Sequence, residues 1–202
     1  MIMLPEVFIA VANKFKKHGY SLYMIGGTSR DFLLGLEISD YDFVTDATPN
    51  EIKNIYPDGD YTFSKFGCVK IKVNDTHIDI TTLRVESKYL DYRHPSKISF
   101  TKSIFLDSFR RDFTINAIYI DIDNNVYDFH QGIKDLRTSL IKFIGNPYIR
   151  IKEDPLRILR ANRFANRLGF ELEEKTKVAI STLSNLLDNL NPDKIAMERK
   201  KK

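Results

Sequence analysis

The sequence predicts an α+β protein: a small mixed sheet with helices on one side, then an all-helical segment from about residue 148. Three observations lead there. Apolar runs at 21–25, 40–44, 61–73, 77–84 and 117–122 have the length and two-residue alternation of strands. Gly145, Asn146 and Pro147 form a break, and the apolar spacing beyond them follows the helical period. The expected division is therefore residues 1–147 and 148–202.

The chain has 202 residues, 43% hydrophobic and 29% charged, enough for one or two compact domains with real cores. No apolar run approaches ~18 residues, so no membrane span is expected. The first residues lack a basic n-region and a small-residue cleavage site, unlike a signal peptide. A single cysteine, Cys68, excludes an internal disulfide and suits the cytoplasm. A net charge of +4 permits a polyanionic partner without requiring one.

The first element is an amphipathic helix beginning near Pro5, with Val7, Ala10, Val11 and Phe15 on one face. SLYMI is a buried strand stopped by Gly26-Gly27, a pair that lets backbone approach a ligand closely. Thr28 or Ser29 then caps the helix RDFLL, whose N-terminus makes an anion corner; Arg30 adds a forked charge suited to phosphate. In the strand DYDFV, Asp40 and Asp42 share one face and Tyr41 and Phe43 the other. Two outward acids beside an anion corner suit hard Mg²⁺, which takes carboxylate and phosphate oxygens together.

TPNE marks a capped helix start. YTFSKFGCVKIKV reads as two strands meeting near Lys65 to Gly67, and HIDITTLR as another with Ile78 and Ile80 inward and Asp79 outward. Residues 85–107 lack periodicity and read as a long polar loop, a kind that is often functional. A hairpin turns at Asn124-Asn125, and KDLRTSLIKFIGNP gives a short helix and strand. Asp154 caps the next helix with Pro155 at its first position. Ile158, Ala161, Phe164, Ala165 and Leu168 lie on one apolar arc that also holds Asp154 and Arg157, charges that are costly there unless satisfied. Arg160, Arg163 and Arg167 cluster elsewhere, where solvent or a polyanion meets them. Two more helical stretches follow, broken at Asn191-Pro192.

GG-x-x-RD-x-LLG followed by DYDFVTDATP resembles the first motif of the polymerase-β-like nucleotidyltransferases. Within them it is similar to the bacterial-type tRNA nucleotidyltransferase (CCA-adding) and poly(A) polymerase family. Further matches are TTLR at 81–84, DYRHP at 91–95 with Tyr92 in a glycine's place, RRDFTINA at 110–117, EDPLR at 153–157, and NPDKIAMERKKK. KFGCVKI at 65–71 favours the CCA-adding pattern, and no arginine-rich poly(A) polymerase signature is present.

The resemblance implies a polymerase-β-like head and a helical neck, without the body and tail of longer members. It implies transfer of CMP and AMP from CTP and ATP to a tRNA 3′ end, with Mg²⁺ as cofactor and pyrophosphate released. The alternatives are a CC-adding or A-adding specialist, a poly(A) polymerase, or a nucleotide- or RNA-binding module with little activity. Asp40, Asp42 and Asp79 become the catalytic carboxylates, with Asp40 and Asp42 on the metal. Gly26, Gly27, Arg30, Arg111, Asp112 and Asn116 hold phosphates and sugar. Asp154 and Arg157, with Arg160 and Arg163, complete the nucleotide site. The EDP-x-R pattern implies a base template: Asp154 accepts the amino hydrogen of cytosine or adenine and Arg157 donates to the ring nitrogen. Uracil and guanine present a carbonyl there, acceptor against acceptor. A second chain or a missing segment is expected to supply most of the grip on RNA.

Overall fold

The computed structural model describes residues 3–89 and 95–200, with side chains described for 3–86 and 98–200. Two compact units divide the chain: Met1–Glu86, Ile98–Arg110 and Asn116–Phe129 in the first, Ser87–Lys97, Arg111–Ile115 and His130–Lys202 in the second. Residues 130–147 thus group with the helices that follow, because their strand pairs with a later one, and the break at Gly145–Pro147 falls inside a unit. Among the described residues no helix is long and apolar enough to cross a membrane.

The first unit begins with α1 (Glu6–Lys17), β1 (Leu22–Met24), α2 (Gly26–Leu34), β2 (Tyr41–Thr45) and α3 (Pro49–Ile55). Strands β3 (Cys68–Val73) and β4 (Thr76–Thr82) follow, and β7 (Ile118–Ile120) and β8 (Val126–Asp128) complete a six-stranded sheet in the order β3-β4-β2-β1-β7-β8. All its neighbours are antiparallel except β2 and β4, whose parallel pairing needs the crossover through α3 and β3. Residues 61–67 are a turn rather than a strand. A 3-10 turn at Ser64–Phe66 ends in Gly67, whose φ of +81° is the left-handed region that glycine tolerates.

Alternation along the strands decides the faces. Phe43, Ile78 and Ile80 join Leu22, Met24, Val69 and Ile71 in one cluster, which α1 and α3 cover with Phe8, Val11, Phe15, Ile52 and Ile55. Phe8 meets Phe43 edge to face at 5.1 Å. The inward face of α1 is Phe8, Val11, Ala12 and Phe15; Ala10, expected there, is exposed. The stripe follows i, i+3, i+4, i+7 from Phe8, not from Val7. On the other face Val44, Leu83 and Tyr119 pack with Ile104 of α4 (Ile104–Ser108), so this side carries a helix as well.

The stretch expected to be a loop instead contains α4 and a two-stranded sheet of β5 (Arg84–Tyr89) and β6 (Pro95–Phe100). Residues 91–94 of the DYRHP pattern lie outside the described residues. Buried Asp107 ties the start of β5 to the sheet, accepting from the Arg84 N–H, Arg110 Nε and the Tyr119 hydroxyl.

The second unit contains α5 (Gly132–Arg137), β9 (Leu140–Ile141), α6 (Pro147–Glu153), α7 (Leu156–Leu168), β10 (Glu171–Leu172), α8 (Glu174–Leu183) and α9 (Pro192–Lys200). It is not wholly helical beyond 148: after Gly169 turns left-handed, Glu171 and Leu172 pair parallel with Leu140 and Ile141. Phe113 stacks on Phe143 at 4.8 Å and meets Phe164 edge-on at 5.7 Å.

The start of α3 gives a clean test of local stability. Thr48 accepts from the Glu51 N–H while the Glu51 carboxylate accepts from the Thr48 N–H and hydroxyl. These bonds hold the Glu51 carboxyl below its ordinary range, the Thr48 N–H being the largest cause. Thr48→Ala is expected to lower unfolding stability by about 1 kcal/mol in urea titration. An unchanged midpoint would show that the box contributes nothing.

Candidate active site

The first group of candidate residues gathers where α2 meets β2. The Ile25 N–H donates to the Asp42 carbonyl at 3.1 Å, and Gly26 turns the chain with φ +65°. A β-carbon built on Gly26 would lie 3.4 Å from Asp42 Oδ2, so the carboxylate sits against the helix start. The helix begins at Gly26, earlier than expected, and Thr28 and Ser29 do not cap it. Thr28 is fully buried and does something else: its hydroxyl donates to the Asp40 carbonyl at 3.0 Å and accepts from the Asp42 N–H at 2.7 Å. Ser29 donates to the Gly26 carbonyl.

Asp79 is brought beside this pair. Parallel pairing sets Asp42 opposite Asp79, and both belong to the face away from Phe43, Ile78 and Ile80. Asp40 is exposed just before β2, with Ser39 donating to its carboxylate. On the far side of Asp79 stands Lys70, its register partner on β3, whose Nζ reaches both Asp79 oxygens at 2.8 and 3.0 Å.

Arg30 lies beneath the helix start, where a β-carbon built on Gly27 would come within 3.6 Å of its Nη2. Its guanidinium is 1% exposed and ion-paired with Asp31 at 2.7 Å, and it donates to Asn116 Oδ1 at 3.0 Å. A buried guanidinium needs such a partner. Its role in the structure is to fix Asn116 relative to α2, which places two motifs that are far apart in sequence in contact.

The second group lies in the second unit. Arg111 offers its carbonyl to Arg150 at 2.7 Å. Asp112 accepts from the Phe113 N–H at 2.8 Å and lies 3.4 Å from Arg160. Burial works against its charge, but Arg160, Arg157 and the Phe113 N–H outweigh that, so the carboxyl titrates below its ordinary range. Asp154 ends α6 rather than starting the next helix, yet its carboxylate still accepts from the Leu156 N–H, and its other oxygen accepts from Arg160 at 2.9 Å. Arg157 is buried, donating to Glu153 at 2.8 Å and to the Arg150 carbonyl at 2.7 Å. Arg163 pairs with Glu198 of α9 at 3.0 Å and lies over the Phe164 ring. Arg160 and Arg163 therefore hold carboxylates of their own unit, on the side where solvent or a polyanion was expected to meet them. Arg160 stands one helical turn past Leu156 and reaches back to Asp154, and the arc drawn for the helix did not include that reach.

Reading by sequence missed Asp31, Lys70, Arg150 and Glu153, and gave Thr28 a capping role in place of the one it has. Only Lys70 left a signal there: in CVKIKV it alternates with the core residues Val69 and Ile71, which puts it on the face of Asp79.

The donor set suits a hard divalent cation only in part. Among the described residues no group of three or more Asp, Glu, His or Cys is arranged to hold a metal ion. Asp40 and Asp42 supply carboxylate oxygens on one short segment, so further oxygens must come from a phosphate or water.

Known proteins resemble this chain in sequence and in fold. Residues 22–142 match the family model described as the poly A polymerase head domain. The chain is 41% identical over 204 residues to a CCA-adding enzyme of Lactococcus lactis subsp. cremoris, covering 96% of this chain and 50% of that protein. It is 38% identical to a CCA-adding enzyme of a Geobacillus species, again over 96% of this chain and 48% of the other. The crystal structure of the Bacillus stearothermophilus CCA-adding enzyme in complex with CTP superposes with a TM-score of 0.87 at 32% identity, over 96% of this chain and 48% of that one. This chain thus spans about half the length of the relatives it matches.

The Arg30–Asp31 pair makes a sharp prediction. Arg30→Met strands a buried carboxylate and is expected to cost about 3–5 kcal/mol by urea unfolding. Adding Asp31→Asn removes the stranded charge and should recover part of the loss. A single mutant as stable as the wild type would show that this pair does not support the fold.

Proposed function

Because the chain belongs to the poly A polymerase head-domain family, in which nucleotidyl transfer implies a metal cofactor, we propose that it transfers CMP and AMP from CTP and ATP to the 3′ end of tRNA. The observation that carries this reading is Asp42 held against Gly26 at the start of α2, with Asp79 beside it in register. Its relatives add weight, since proteins 38–41% identical to it are called CCA-adding enzymes. Solved relatives bound to CTP, to primer tRNA with an ATP analogue, and to tRNA-CCA are similar to it at 25–32% identity.

In this reading residues 1–147 act as the catalytic head and 148–202 as a nucleotide-selecting segment. The unpaired amides at the start of α2 face the triphosphate, where the helix dipole favours anions. Asn116, fixed by Arg30, and Arg111 with Asp112 bind phosphate and sugar. Asp40 and Asp42 would hold Mg²⁺, which when bound lowers the pKa of the attacking 3′-hydroxyl and screens the phosphates. Asp154 keeps lone pairs beyond the two hydrogen bonds it accepts, which suits it to take an amino hydrogen from cytosine or adenine. Arg157 donates to the ring nitrogen beside it. Glu153 and the Arg150 carbonyl set its direction.

Labelled CTP and ATP, given singly and together with tRNA lacking its CCA end, test the reading. CCA addition requires CMP incorporation first and AMP only after it. AMP runs on any RNA would indicate a poly(A) polymerase instead, and no incorporation at all would overturn the proposal. Asp42→Asn is expected to reduce incorporation by at least about 10³-fold at an unchanged melting temperature. Asp154→Asn turns an acceptor into a donor, so the ratio of UMP to CMP incorporation should rise about tenfold or more. A ratio that stays at the wild-type value would leave Asp154 as a structural cap.

A further inference from the structure

Three strands place one row of charges on a single face of the sheet: Lys70 on β3, Asp79 on β4 and Asp42 on β2, each opposite the next in register. The row is not evenly shared. Lys70 Nζ engages both oxygens of Asp79, at 2.8 and 3.0 Å, the two-pronged contact that a metal ion would otherwise make. The backbone of Lys70 is pinned as well, its N–H and carbonyl both bonded to Asp60 at 3.0 and 2.8 Å. The lysine is thus held over Asp79 by more than its own flexible stem. The charges that face it besides Asp79 are Asp42 and Asp60, and all three favour the ammonium.

Resting on the nucleotidyl-transfer reading above, we propose that Lys70 is a positioning residue that withholds Asp79 from the divalent-metal site. The resting site then binds its ion through Asp40 and Asp42 alone, and Asp79 joins only when Lys70 is drawn off. This accounts for two observations together: Asp79 lies beside Asp42 on the same face, yet no set of three carboxylates forms among the described residues. An exposed pair of this kind is weak enough to be displaced. The nucleotide's own phosphates are the anions best suited to draw the ammonium away. Metal affinity in the absence of nucleotide is therefore set by a lysine that never touches the metal.

The test is Mn²⁺ titration of the nucleotide-free protein, followed by electron paramagnetic resonance of the unbound ion. Asp79→Asn should bind Mn²⁺ no more tightly than wild type, because Asp79 is already engaged and its loss leaves the Lys70 ammonium facing Asp42. Lys70→Met should bind roughly fivefold more tightly, and Lys70→Met/Asp79→Asn should lose most of that gain. Lys70→Arg keeps the pair and should restore wild-type affinity. A Lys70→Met protein no tighter than wild type, or an equal gain with and without Asp79, would overturn the proposal. Asp42→Asn separates this from the parent reading: if Mn²⁺ binding survives that change, the metal site itself is wrongly placed.

Discussion

The hydroxyl of Thr28 is the contact on which the first group of candidate residues depends. Asp40 and Asp42 sit at the entry to a strand, where the segment is too short to fix its own geometry. One buried hydroxyl supplies what is missing, giving a hydrogen to the Asp40 carbonyl and taking one from the Asp42 N–H. A threonine alone among the small side chains offers both functions with a χ1 stiffened by branching. The Ile25 N–H bond to the Asp42 carbonyl closes the same corner from the other side. Gly26 must then be glycine for two reasons, its positive φ and the carboxylate lying against it.

The second unit solves a different problem. Its candidate residues are charged and largely buried, and a buried charge persists only with partners. Asp112, Asp154 and Arg160 share one set of contacts, and Arg150, Glu153 and Arg157 share another around the turn from α6 to α7. Asp112 stays ionised because the arginines outweigh its burial. A pre-paired network of this kind presents donors and acceptors at fixed positions. Under the proposed base template, that is what discrimination between an amino group and a carbonyl requires.

Much of this was legible in the sequence because period and punctuation carry it. The two-residue alternation in DYDFV and HIDITT put Phe43, Ile78 and Ile80 inside, and with them Asp42 and Asp79 outside. TPNE announced its capping box, and the position of Asp154 and Arg157 on an apolar arc correctly gave their burial. What did not show in the sequence were matters of reach. Arg30 is drawn inward by Asp31 and Asn116, the latter 86 residues away, and no local pattern signals such a partner. Arg160 and Arg163 looked solvent-facing until Asp154 and Glu198 claimed them. The β5–β6 ribbon lacks alternation, so it read as a loop.

If the Thr28 hydroxyl sets the carboxylate geometry for the proposed transfer, removing it slows transfer without unfolding the protein. The direct measurement is CMP incorporation into tRNA lacking its CCA end by Thr28→Val and Thr28→Ser proteins, alongside their melting temperatures. Valine keeps the shape and loses both hydrogen bonds, so incorporation should fall about 10²-fold, as a misplacement near 1 Å does, while most of the protein stays folded at the assay temperature. Serine keeps the hydroxyl and should restore most of the rate. A folded Thr28→Val protein that transfers CMP at close to the wild-type rate would contradict the account.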